Sequence, residues 1–301
     1  MRIVITGGNS FIGQRLAKRA GMLGWETLLV ARPSRRVVLP PNATLIELDM
    51  VDYSRLGELA GPCDCLFHLA WDGTRGESRI DALQQRKNLE CSLDAVQSML
   101  LAGCRKIISA GSQAEYGPHN EQITEESACR PNTEYGKAKL AFYDELDALC
   151  RRKGVSYKEP RFFSLYGPGD YRGTMILSIL RDMLANRPCR LTECRQMWDY
   201  LYIDDAIKGL IHLCKEPCPD GVYNFGSGDA RPLREYVEDM AQLTQTKSEL
   251  LYGAVPYPPT GMVSIWPDVS RLKRELHWAP KVSFEEGIQS ILRSIAREKS
   301  S

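Results

Sequence analysis

From Arg2 to Tyr166, short apolar runs alternate with stretches whose apolar residues recur every three to four positions. The runs Ile3–Thr6, Thr27–Ala31, Thr44–Leu48, Cys65–Leu69, Lys106–Ala110 and Ser156–Phe163 predict strands. Between them, Ile12, Leu16, Ala20 and Leu23 keep helical spacing, as do Leu89, Leu93, Val96 and Leu100. A further helix, carrying Leu140, Tyr143, Leu146 and Leu149, is predicted from about Glu134 to Arg152. Alternation of this kind predicts an α/β chain built on a doubly wound parallel sheet of the Rossmann type.

The pattern changes after Tyr166-Gly167-Pro168-Gly169. Periodicity fades, and Pro256, Pro258, Pro259 and Gly261 crowd together between Val255 and Pro267. Residues 1–166, with returning segments near 200–228, are expected to form the main sheet domain, and residues 167–301 most of a smaller C-terminal lobe. The tail from Arg297 to Ser301 is expected to fray.

Composition narrows the function classes. The 301 residues are 43% hydrophobic, enough for one large α/β domain or a domain with a smaller lobe. Lys and Arg number 39 against 38 Asp and Glu, so no net field attracts nucleic acid or an anionic membrane. No apolar run reaches the roughly 20 residues that span a bilayer, and no basic-then-apolar leader precedes the first strand. A cytoplasmic location follows as the expectation. The ten cysteines lie mostly inside predicted strands and helices and read as reduced, buried thiols. Cys63-Asp64-Cys65 is not a zinc spacing, and the four histidines, His68, His119, His212 and His277, have no metal-ligand spacing, so no metal is expected.

The candidate chemistry begins at Thr6-Gly7-Gly8-Asn9-Ser10-Phe11-Ile12-Gly13, a glycine-bearing turn between the first strand and an amphipathic helix. Glycine there lets the backbone approach a pyrophosphate, while the helix start offers free amides and a positive dipole end. At the end of the second strand stands Val30-Ala31-Arg32-Pro33-Ser34-Arg35-Arg36, with three arginines and no carboxylate. A carboxylate binds the ribose 2′-hydroxyl of NAD, whereas a guanidinium binds a 2′-phosphate, so NADP is favoured over NAD. Arg32 is the first candidate and Arg35 or Arg36 the second. Asp49 is placed for the adenine edge, and Asp52 is expected to cap the next helix.

Tyr135 and Lys139 stand four apart and share one helix face. Tyrosine ordinarily titrates at about 10, and a neighbouring ammonium is expected to lower it into a useful acid–base range. Ile107-Ile108-Ser109-Ala110-Gly111-Ser112 places Ser112 at the C-terminal edge of a strand, where such sheets bind ligands.

On these motifs the chain resembles the extended short-chain dehydrogenase/reductases that act on nucleotide sugars, the NAD-dependent epimerase/dehydratase group. The resemblance runs on through His68-Leu69-Ala70-Trp71, Asn88 opening a helix, and Pro160-Arg161-Phe162-Phe163-Ser164-Leu165-Tyr166-Gly167-Pro168-Gly169. Later it includes Trp198-Asp199-Tyr200-Leu201-Tyr202, Tyr223-Asn224-Phe225-Gly226-Ser227-Gly228, Asp268 and Trp278-Ala279-Pro280. It implies that Tyr135 is the acid/base, that Lys139 holds the nicotinamide ribose, and that Ser112 orients the sugar C4 oxygen. It also implies cofactor contacts from Gly7, Ser10, Phe11, Ile12, Gly13, Met50, Leu69, Ala70, Asn88 and Phe162. Substrate contacts are expected from Trp71, Gln113, Ser164, Arg172 and Trp198, and a homodimer from the Asn88 and Tyr135 helices.

Four positions depart from the family pattern. Ser10 replaces the middle glycine of the turn, Ser164 an asparagine, and Trp198 an arginine expected at the diphosphate; Arg172, Arg195 or Arg231 is the replacement to look for. Gln113 and Ala114 replace the Asp-Glu pair of the dehydratases, so the chain lacks the extra acid and base that dehydration needs. Two reactions remain within the family: NADPH-dependent reduction of a 4-keto-(deoxy)hexose, favoured by the arginines, and 4-epimerisation with bound NAD. A non-catalytic NADP-binding sensor is the reading from another class.

Overall fold

A computed structural model of the chain describes residues 1–33, 37–258 and 261–300, the last two in backbone only. Arg35 and Arg36, named above for the ribose phosphate, lie outside the described residues. Five strands come first: β1 (Arg2–Thr6), β2 (Glu26–Ala31), β3 (Ala43–Glu47), β4 (Cys65–His68) and β5 (Lys106–Ser109). They are followed by β6 (Gly111–Ser112), β7 (Ser156–Phe162) and β8 (Ser164–Tyr166). The main sheet runs Gly221–Phe225, β7, β5, β4, β1, β2, β3, with β6 also on β7, and every pairing is parallel. The six strands expected from the apolar runs all form, each within a residue or so of its expected ends.

Parallel strands need crossovers, and helices on both faces supply them. Helix α1 (Phe11–Met22) follows β1, and α2 (Leu56–Ala60) follows β3. Helices α3 (Ala82–Leu101), α4 (Glu134–Lys153) and α5 (Met175–Leu184) come after β4, β6 and β8. In β1, Ile3 and Ile5 belong to the core shared with α1, while Val4 belongs to the opposite core beneath α3 and α4. In either layer, each fully buried Leu, Ile or Phe side chain stabilises the fold by roughly 1.5–3 kcal/mol. The eight buried cysteines fill such space as free thiols.

After Gly167 the chain forms smaller units. Tyr200–Tyr202 pairs in parallel with β8, and Met197–Trp198 pairs antiparallel with Arg231–Pro232. Of the segments expected to return near 200–228, Gly221–Phe225 joins the main sheet, whereas Tyr200–Tyr202 does not. Among the described residues no helix is long and apolar enough to cross a membrane.

Two local expectations are corrected. Asn88 lies inside α3 rather than at its start, because Asp81 caps that helix by accepting from the Gln84 amide at 3.1 Å. Asp49, not Asp52, caps the 3₁₀ turn Met50–Arg55, accepting from the Val51 amide at 3.3 Å; Asp49 alone has the extended backbone a cap requires.

Candidate active site

The turn after β1 is shaped for close approach. Gly7 has φ +67°, and a Cβ there would sit 2.9 Å from the Ala70 amide nitrogen. A Cβ on Gly13 would collide with the Gly7 carbonyl. Ser10, which departs from the family glycine, adopts an ordinary extended conformation and caps α1, its hydroxyl accepting from the Gly13 amide at 3.0 Å. The substitution therefore keeps the turn and organises the helix start. This bare-backbone cradle against an α-helix N-terminus fits a dinucleotide pyrophosphate.

Beside it opens a cleft of about 610 Å³ at the C-terminal ends of the strands. Ser10, Phe11 and Ile12 form one wall, and Leu69, Trp71 and Phe162 come from the neighbouring strand ends. Ser112, Tyr135 and Lys139 line it together, and Ser164 and Trp198 close the far side. Met50, Ala70 and Asn88 are buried behind these walls rather than in them. Gln113 starts a 3₁₀ turn beside the cleft, and Arg172 lies on the rim of a separate groove between α5 and the helix Phe284–Ser300.

Local sequence explains how the three reactive groups meet. Thr133 caps α4 by accepting from the Gly136 amide at 3.1 Å, placing Tyr135 and Lys139 on the first turns of the buried face. Ser112 ends β6 and heads a capping box: its hydroxyl accepts from the Ala114 amide at 3.2 Å, while Glu115 accepts from the Ser112 amide at 2.7 Å. The Ser112 hydroxyl is near enough to the Tyr135 phenol to favour its ionised form.

The electrostatics differ from the simple expectation. Burial raises the Tyr135 pKa; the Ser112 hydrogen bond opposes that rise, as does the cation of Arg79. Arg79, from the 3₁₀ turn Gly76–Ile80, holds its guanidinium 4.7 Å above the Tyr135 ring. Lys139 donates its ammonium to the Ala110 carbonyl at 2.7 Å and lies 3.9 Å over the Trp71 ring. Burial lowers Lys139 to about 8, against the pull of Glu115 and Glu159. His68, bonded to the Thr6 hydroxyl at 2.9 Å, is lowered to about 3 by burial and by Lys139, so it is neutral.

Beneath the site lies a charged cluster that sequence reading missed. Arg161, 2% exposed, donates from Nε to Glu159 at 3.0 Å and lies 2.7 Å from Glu115 in an ion-pair contact. Burial and the neighbouring Glu115 charge push Glu159 well up, while the two carboxylates keep Arg161 charged despite its burial. The Tyr157 phenol donates to Glu159 at 3.0 Å and pairs with Ser109 at 2.8 Å. A signal was present: Glu159 and Arg161 stand two apart in a strand, on one face.

Two other partnerships also escaped prediction. Ser164 and Trp198, both departures from the family pattern, bond to each other, the indole nitrogen donating to the Ser164 hydroxyl at 2.8 Å. Gln85 and Asn88 hold the loop after β4. Gln85 accepts from the Trp71 indole at 2.7 Å and donates to the carbonyls of Gly73 and Ser78, and Asn88 donates to the Asp72 carbonyl at 2.8 Å. At the cofactor end, the Arg32 guanidinium meets Asp72 at 3.2 Å.

The model of the NAD dependent epimerase/dehydratase family matches residues 3–226. The UDP-N-acetyl-alpha-D-glucosaminuronate decarboxylase of Bacillus cytotoxicus is 26% identical over 97% of this chain and 96% of its own length. The CDP-abequose synthase of Salmonella muenchen is 25% identical, covering 97% of each. Among solved structures, the UDP-glucose 4-epimerase of Thermotoga maritima with UDP-glucose superposes with TM-score 0.89, at 23% identity over 99% of this chain and all of that one. MoeE5 in complex with UDP-glucuronic acid and NAD gives TM-score 0.88, with the same identity and coverage.

Proposed function

The chain belongs to the NAD dependent epimerase/dehydratase family, and from that premise we propose that it reduces a nucleotide-linked 4-keto-hexose with NADPH, Tyr135 giving the proton. The observation that carries this reading is Arg32. A guanidinium stands where β2 ends, and Asp72 tethers it at 3.2 Å rather than leaving it free in solvent. That fork suits a 2′-phosphate, and a phosphorylated, exchanging reductant suits a reductase.

When bound, the dinucleotide supplies the hydride. The chain supplies the rest. Ser112 and Tyr135 line the same cleft, where a substrate carbonyl oxygen can accept from both hydroxyls. Burial favours the neutral phenol, which is the form a proton donor needs as negative charge develops on that oxygen. Lys139, fixed by the Ala110 carbonyl, presents its ammonium to the same cleft. Gln113 and Ala114 hold no proton to exchange, so elimination across the sugar lacks its acid–base pair.

A second reading, 4-epimerisation with retained NAD, is favoured by Asp72, because its carboxylate lies close enough to Arg32 to repel a phosphate. Titration calorimetry separates the two. NADPH is expected to bind roughly tenfold or more tighter than NADH, and Arg32→Asp is expected to erase that margin. Dinucleotide retained through purification as NAD, with an unchanged preference in Arg32→Asp, would instead support the epimerase.

A further inference from the structure

We propose that Arg75, with Arg79 behind it, takes an anionic group of the bound nucleotide sugar at the mouth of the Ser112–Tyr135–Lys139 cleft. The inference rests on the reading of this cleft as a nucleotide-sugar site, and it adds where the substrate's charge is held. Among the described residues, Arg75 is the one arginine that lines the cleft. The other fixed cation there, Lys139, has its ammonium committed to the Ala110 carbonyl.

The arginines expected from sequence are engaged elsewhere. Arg231 lies 2.7 Å from Asp239 and 3.6 Å from Glu285. Arg195, 3.4 Å from Glu193, and Arg172, 3.6 Å from Glu298, do not line the cleft. Trp198 and Ser164 satisfy each other across the far wall. The charge of a diphosphate or of a sugar carboxylate is therefore left to the loop after β4.

That loop is built for the task. Arg75 stacks 4.7 Å over the Tyr171 ring, and its nearest carboxylate, Asp170, stands at 3.6 Å, longer than a hydrogen bond. The Asp170 side chain is buried and accepts from the Tyr171 amide at 2.6 Å. Arg79 has no carboxylate partner among the described residues; it donates to the Thr74 carbonyl at 3.4 Å and covers the Tyr135 ring. Gln85 fixes the segment from both sides through the carbonyls of Gly73 and Ser78. Two planar guanidiniums on one anchored turn, each backed by a tyrosine, match the bidentate geometry of phosphate or carboxylate.

The test is calorimetry on the full chain, wild type against Arg75→Gln, Arg79→Gln and Arg75→Lys. The probes are UDP, CDP, UDP-glucose and UDP-glucuronate, with NADPH titrated separately to report an intact fold. Arg75→Gln is expected to weaken nucleotide-sugar binding roughly 10- to 100-fold, Arg79→Gln less, and Arg75→Lys to recover part of the loss. Equal weakening for the free nucleotide identifies the diphosphate as the bound anion. Unchanged UDP with loss of only the UDP-glucuronate advantage over UDP-glucose identifies a sugar carboxylate. Wild-type affinity in all three variants would overturn the proposal while leaving the functional reading intact. A wild-type chain that binds NADPH but none of these probes would overturn both.

Discussion

Replacing Tyr135 by phenylalanine is expected to lower turnover by roughly 10²- to 10⁴-fold, the usual loss when a positioned proton donor is removed. The structure makes this a clean substitution. The ring is buried, packed edge-on to Trp71 at 6.3 Å and covered by Arg79, and all of that survives in phenylalanine. What disappears is the hydroxyl, the proposed proton donor beside Ser112. Dinucleotide affinity and melting temperature should therefore stay near wild type. In the parent protein, reduction should fall on the alkaline side as Lys139, lowered to about 8, loses its charge. The sign follows from the lowered value: the ammonium is present below about 8 and lost above it. A Tyr135→Phe protein keeping more than about a tenth of the activity would remove Tyr135 from the mechanism.

The second large effect is on stability. Arg161→Met is expected to destabilise the fold by about 3–5 kcal/mol and to lower the melting temperature by on the order of 10 °C. The methionine matches much of the arginine's bulk, so the loss is electrostatic. Glu115 and Glu159, both fully or almost fully buried, would face each other without the guanidinium between them. Because Glu115 also holds the Ser112 amide at 2.7 Å, the capping box at the active site would loosen with it. Removing both carboxylates as well, in Glu115→Gln/Glu159→Gln/Arg161→Met, should restore much of the stability, since no buried charge is then left unpaired. Scanning calorimetry decides the point: a melting temperature within about 2 °C of wild type in the single variant, against the expected loss on the order of 10 °C, would show that the guanidinium offsets no buried charge.

The parallel sheet was readable because strands such as Ile3–Thr6, Cys65–His68 and Thr27–Ala31 are apolar on both faces, a pattern that survives without knowledge of partners. Ser112, Tyr135 and Lys139 were readable for a related reason: strand end and helix face are set by local spacing, and the fold brings the two together. What stayed hidden depends on contacts between distant segments. The bond between Trp198 and Ser164 turns two separate departures into one paired change, and neither residue announces the other. Arg75 and Arg79 sit in an irregular stretch, where charge in sequence looks like a solvated loop until Tyr171 and Tyr135 are seen beneath them. The Tyr135–Lys139 spacing placed both side chains correctly but not their electrostatics, because the ammonium turns to the Ala110 carbonyl.

The most direct test of the central claim is turnover on a panel of 4-keto nucleotide sugars with NADPH, read as loss of reduced nicotinamide absorbance together with product analysis. The account predicts one NADPH oxidised per 4-keto sugar converted to the alcohol, with turnover at least about a hundredfold lower in Tyr135→Phe and a marked preference for NADPH over NADH. Interconversion of C4 epimers without net nicotinamide oxidation, by a protein carrying retained NAD, would contradict it.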